Sequence, residues 1–157
     1  MDYQKIINQG SKILKQNNIK SYMLDSELLL SSVLNVDRSK LLINLDKKIK
    51  SEEKNIYFNY INRRKKNEPI AYISGFKEFW KNNFKVNKNV LIPRPDTEIL
   101  VEQALKYLKI KDKKNVLDIG TGSGCIIISI LKERKKCIGV GVDLSKKAIK
   151  LAKYNAK

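Results

Sequence analysis

The chain has no histidine, only two cysteines and three prolines, and half as many acidic as basic side chains. Without histidine there is no Ser–His or Cys–His nucleophile pair. Cys125 and Cys137 lack CxxC spacing, so no metal site is expected and both read as small buried thiols. The longest apolar run, Cys125 to Leu131, is broken by Ser129 and falls well short of the roughly 20 residues needed to cross a bilayer. The opening Met1-Asp2-Tyr3-Gln4-Lys5 is not the basic-then-apolar layout of a secretory leader, so a cytoplasmic location is expected.

What is abundant is lysine. Lys and Arg number 33 against 16 Asp and Glu, a net charge of +17. The densest clusters, Arg63 to Lys66 and Lys111 to Lys114, sit at helix ends and connections. Aromatic residues do not interleave with them as a nucleic-acid-binding motif would require. Solvated faces and weak electrostatic steering are therefore expected, not sequence-specific nucleic-acid binding.

Residues 1 to 74 read as a small helical bundle. Ile6, Ile7, Ile13 and Leu14 share one face of a first helix that contains Gly10, and Leu24, Leu28, Leu29 and Val33 share a face of a second. A short segment from Lys40 to Leu45 follows. Ser51 starts a longer helix with Glu52 and Glu53 in its first turn, an apolar stripe of Ile56, Tyr57, Tyr60 and Ile61, and an end at Glu68-Pro69. Residues 75 to 92 read as a β-hairpin connector, with Lys81-Asn82-Asn83 as its turn. In the segment that follows, Pro95 suits the first turn of a helix whose stripe is Leu100, Val101, Ala104, Leu105 and Leu108.

The remainder alternates: a strand over 116–119, a helix over 125–133, a strand over 138–142 and a helix over 146–157. That order predicts a parallel, doubly wound sheet. At its first junction stands "LDIGTGSGCI", with glycines at 120, 122 and 124. They let the chain turn sharply and let a ligand approach the backbone, at the carboxyl ends of the strands where doubly wound folds bind ligands. The spacing matches neither the dinucleotide fingerprint nor a Walker loop. Asp143 closes the next strand, where a carboxylate can accept from both hydroxyls of a ribose. A glycine loop and a strand-end acid without a pyrophosphate signature point to a nucleoside ligand lacking phosphates.

"EPIAYISGFKEFW", "IPRPDTEILVE", "LDIGTGSGCI" and "VDLSKKAIKLAKYNA" occur in the order found in the release factor glutamine methyltransferases, the PrmC/HemK family, which the chain resembles along essentially its whole length. "PRPDTE" separates that family from its sister enzymes. The resemblance implies a small helical substrate-recognition domain over 1–74 and, over 93–157, the start of a Rossmann-like seven-stranded methyltransferase domain. It implies S-adenosyl-L-methionine as cofactor, held by Gly120, Thr121, Gly122, Ser123, Gly124 and Asp143, with Asp118 positioning the loop or the cofactor amine. It also implies class I peptide chain release factors as substrates, methylated on the amide nitrogen of the GGQ-motif glutamine. An in-line methyl transfer needs chiefly proximity and orientation, so the lack of histidine is no obstacle.

The family's Asn-Pro-Pro-Tyr motif, which holds the glutamine amide, is absent: the prolines are Pro69, Pro93 and Pro95. No catalytic residue is therefore assigned. Two strands and two helices do not bury both faces of a doubly wound sheet. The expectation is an N-terminal portion that is inactive alone and partnered by the remainder of the enzyme. Two alternatives stay open: a non-catalytic basic module that binds a release factor or RNA, and a methyltransferase for another amide or a nucleobase amine.

Overall fold

The computed structural model describes residues 1–111 and 113–157. Residue 112, within the Lys111 to Lys114 cluster, lies outside them. The chain divides between Ser74 and Gly75 into two compact units.

The first unit contains α1 (Tyr3–Gln16), α2 (Tyr22–Leu34), α3 (Arg38–Leu42), α4 (Ser51–Arg64) and α5 (Ile70–Ser74). Asp2 starts α1 by accepting the Lys5 N–H at 2.8 Å, which satisfies an otherwise unpaired donor of the first turn. Ile6, Ile7, Leu14, Leu29, Leu30, Tyr57 and Ile61 are fully buried at the helix crossings. Gly10 makes one crossing possible, since a Cβ there would sit 2.0 Å from the Tyr57 hydroxyl oxygen.

The buried face of α2 departs from the expected stripe. Leu24 is exposed, whereas Asp25 and Ser26 are buried. Both polar groups are paired: Arg64 Nε donates to Asp25 at 2.7 Å, and the Ser26 hydroxyl donates to the Ile7 carbonyl at 2.8 Å and lies 2.6 Å from the Tyr57 hydroxyl. Partners of this kind let polar side chains displace leucine from a core-facing position. Burial raises the Tyr57 hydroxyl pKa to about 12. Helix α4 ends at Arg64, short of Pro69. Arg63 then closes onto Glu68 through two hydrogen bonds and reaches the Tyr72 carbonyl at 3.1 Å, holding the unanticipated α5.

The second unit contains β1 (Phe76–Phe79), β2 (Asn82–Lys85), a 3₁₀ turn (Pro95–Thr97), α6 (Glu98–Tyr107), β3 (Asn115–Ile119), α7 (Cys125–Glu133), β4 (Ile138–Val142) and α8 (Lys146–Asn155). The antiparallel pair β1–β2 has Phe79 opposite Asn82. Its turn is therefore Trp80-Lys81, not the asparagines, and both turn residues have positive φ (45° and 61°). Tertiary contacts impose this register. The Trp80 N–H donates to Glu98 at 2.8 Å and its indole N–H to Glu133 at 3.1 Å, while Phe79 and Phe84 stack edge to face with centroids 6.2 Å apart.

Strands β3 and β4 pair in parallel, from Asn115 opposite Ile138 to Ile119 opposite Val142, as their alternation with helices predicts. Ile127 and Leu131 of α7 pack close over Gly139, where a Cβ would lie 2.8 and 2.6 Å from their methyl groups. On the alternate positions Leu117, Ile119, Ile138, Val140 and Val142 remain 41 to 78% exposed. The unit is thus the opening βαβα of a doubly wound fold with one apolar sheet face bare, joined to a helical hairpin-bearing layer.

Candidate functional site

Between β3 and α7 the backbone passes through Gly120, Gly122 and Gly124, at φ 79°, 55° and 82°. These left-handed conformations are costly for residues with a Cβ. The three positions differ in the space around them. A Cβ at Gly120 would meet nothing within 4 Å, and at Gly122 only the Gly120 carbonyl oxygen at 3.9 Å. At Gly124 it would strike Ile128 at 2.7 Å and Ala152 at 3.3 Å. The first two glycines leave an open approach to the backbone, and the third lets α8 pack against the start of α7.

Hydrogen bonds fix the loop to both strands. The Gly120 and Thr121 N–H groups donate to the Val142 carbonyl at 2.8 and 2.9 Å. The buried Thr121 hydroxyl donates to Asp118 at 2.8 Å and is therefore occupied within the loop. Asp143 accepts the Gly122 N–H at 2.9 Å on one oxygen and the Ser145 N–H at 2.8 Å on the other. These amides, Ser145 first and Gly122 second, hold the Asp143 carboxyl below the usual carboxylate range. A carboxylate offers about four acceptor positions, so capacity for two further donors remains.

The structure thus brings Asp118, Gly120, Thr121, Gly122, Ser123, Gly124 and Asp143 together at the carboxyl ends of β3 and β4. Two contributors escaped sequence reading. Asn155 of α8 donates to the Ser123 carbonyl at 2.8 Å and to the Lys85 carbonyl at 3.0 Å, and accepts the Lys85 N–H at 2.8 Å. No local signal in the sequence marks those partners. Gly141 lies under Thr121, where a Cβ would come within 2.8 Å of its hydroxyl oxygen. The alternating glycines of "IGVGV" were a readable sign of close approach over a strand.

Chemically, the loop combines an accessible backbone with flanking carboxylates. Asp118 and Asp143 repel a pyrophosphate and suit hydroxyl donors or a cationic group. Cys125, at the start of α7, is an inert neighbour, since burial raises its thiol pKa. Among the described residues no group of three or more His, Cys, Asp or Glu could hold a metal, and no helix is long and apolar enough to cross a membrane.

Residues 5–75 match the PrmC N-terminal domain family, and residues 110–157 match a methyltransferase domain family. The release factor glutamine methyltransferase of Clostridium acetobutylicum is 47% identical over 155 residues, 99% of this chain and 54% of that protein. The proteins of the same name from Leptospira interrogans and Fusobacterium nucleatum are 44 and 42% identical over 96% of this chain. They are covered over 53 and 43% of their own lengths. The chain spans about half the length of the curated relatives it matches.

Proposed function

The chain belongs to the release factor glutamine methyltransferase family, and from that premise we propose that it carries the cofactor-binding half of a methyl-transfer site. The loop from Asp118 to Gly124 holds S-adenosyl-L-methionine, with Asp143 accepting from the ribose hydroxyls and Asp118 facing the cationic methionine end. When bound, the cofactor supplies an electrophilic methyl group on a sulfonium. The protein's task is to orient it toward an amide nitrogen and exclude water. The acceptor is the side-chain amide nitrogen of the GGQ glutamine in class I peptide chain release factors, which makes the site of action cytoplasmic. Residues 1–74 serve as the substrate-recognition module, and the segment 75–92 leads from it to the methyltransferase portion at 93–157.

Asp143 is the observation that carries this proposal. Its two backbone hydrogen bonds orient the carboxylate beside the open Gly120–Gly122 backbone while leaving acceptor capacity unused. A ligand with two adjacent hydroxyls fits that capacity, and a phosphate does not.

Titration calorimetry with S-adenosylmethionine tests the assignment. One cofactor per chain is expected. Asp143→Asn turns one acceptor oxygen into a donor facing a backbone N–H, and should weaken binding by roughly tenfold to a hundredfold. Lack of binding, or affinity indifferent to that substitution, overturns the assignment. Because the chain has no Asn-Pro-Pro-Tyr clamp, a release factor incubated with chain and labelled cofactor should stay unmethylated.

A further inference from the structure

A groove of about 620 Å³ runs along the second unit on the side of α8, and its rim is basic. Lys147, Lys150, Lys153 and Lys157 line it from α8 and the end of the chain, and Lys85 enters from β2. No acidic residue lines it, and among the described residues none of these lysines forms an ion pair. Tyr154 also lines the groove, 54% exposed, with the Lys85 ammonium 4.3 Å from its ring centroid. Lys85 and Tyr154 are far apart in the sequence and meet because Asn155 hydrogen-bonds both main-chain groups of Lys85.

We propose that this groove binds the sugar–phosphate backbone of a single-stranded nucleic acid, with Tyr154 stacking on a base. It is a sequence-independent site, separate from the methyl-transfer reading. Cationic grooves that carry an exposed aromatic platform are the physical form of single-strand binding: phosphates find point charges, and any base finds a π face. Lysine matches the occupant, because an ammonium serves a phosphate oxygen from any direction. Recognition of carboxylate side chains favours the two-pronged guanidinium, which the groove lacks. The cluster also concentrates part of the +17 net charge on one side of one helix, so attraction there is local.

Fluorescence anisotropy with a labelled 12-nucleotide oligouridylate, titrated with the full chain at several salt concentrations, tests the site. Saturable binding that weakens with salt is expected. Replacing Lys150 and Lys153 together by Glu should reduce affinity at least tenfold, and losing two phosphate contacts should flatten the log–log salt slope by about 1.4. Lys150→Gln with Lys153→Gln should act in the same direction without introducing new charge. Lys12→Glu with Lys20→Glu makes the same change in net charge on exposed positions of the first unit, and should alter affinity less than twofold. Tyr154→Ala should weaken binding with the salt slope unchanged. The proposal is overturned if no binding occurs at 50 mM salt, if the control pair matches the groove pair, or if Tyr154→Ala has no effect. Equal competition by polyglutamate would instead identify an acidic polypeptide as the occupant and also overturn it.

Discussion

The helical unit and the sheet-bearing unit are built from the same apolar residue types but place them differently. Ile6, Leu14, Leu29, Leu30 and Ile61 are fully buried in the first, whereas Leu117, Ile119, Ile138 and Val140 are more than half exposed in the second. The physical difference is one of layers. Short helices turn apolar stripes toward a common centre and close it with their own side chains. A parallel sheet has two faces, each needing a layer of helices. Here α7 packs over Gly139 on one side, and the opposite side is bare. The chain also spans about half the length of its relatives. The glycine loop nevertheless makes its hydrogen bonds to β3 and β4 beside that bare face.

The contrast can be broken most severely in the helical unit. Arg64→Ala would leave the buried Asp25 carboxylate without its partner, an expected loss of about 4 kcal/mol in urea unfolding. Leu29→Ala in the same core should cost about 3 kcal/mol. Much smaller losses would mean that this core is loosely packed and the contrast is false. On the clothed side of the second unit, Gly124→Ala combines a positive φ with a 2.7 Å clash and should cost about 2 kcal/mol. Gly120→Ala meets open space and should cost about 1 kcal/mol for conformation alone, so the pair of thermal melts separates packing from backbone strain. On the bare side, Leu117→Thr with Ile119→Thr should change stability by no more than about 0.5 kcal/mol while reducing self-association in light scattering.

Acid should affect both units in the same sense. Arg63 lowers the Glu68 pKa below 4.5, and the Ser145 and Gly122 amides lower that of Asp143 below 3.8. Each group gains a proton more readily when unfolded. Its stabilisation is therefore complete above those ordinary values and is lost as pH falls through the lower folded-state pKa. Melting temperatures followed below pH 5 should show this decline, and Asp143→Asn should remove only that residue's own share, leaving those of Glu68 and of Glu133, whose pKa the Trp80 indole N–H lowers.

The parts legible in the sequence were those in which local pattern and tertiary demand coincide. Helix α7 and strand β4 have the bounds that their apolar runs predict, because Gly124 and Arg134 bracket the helix and Lys136 and Asp143 flank the apolar run of the strand. The α2 face was misread because Asp25 and Ser26 look like solvent residues until Arg64 and Tyr57 arrive from elsewhere in the chain. The hairpin turn was misplaced for a similar reason: asparagine is the better turn former, but Glu98 and Glu133 hold Trp80 in the turn. Within the loop, the glycines were visible in the sequence. The hold of Asn155 on Ser123 was not, since a long-range side-chain contact leaves no periodic trace.

Hydrogen exchange with and without saturating S-adenosylmethionine is the most direct test of the central claim, that the Asp118–Gly124 loop and Asp143 form a cofactor site on a half-covered sheet. Protection is expected to concentrate at residues 118–124 and 143–145, with Leu117, Ile138 and Val140 of the bare sheet face and the whole first unit unchanged. Absence of protection at the loop, or protection centred anywhere else, would contradict it.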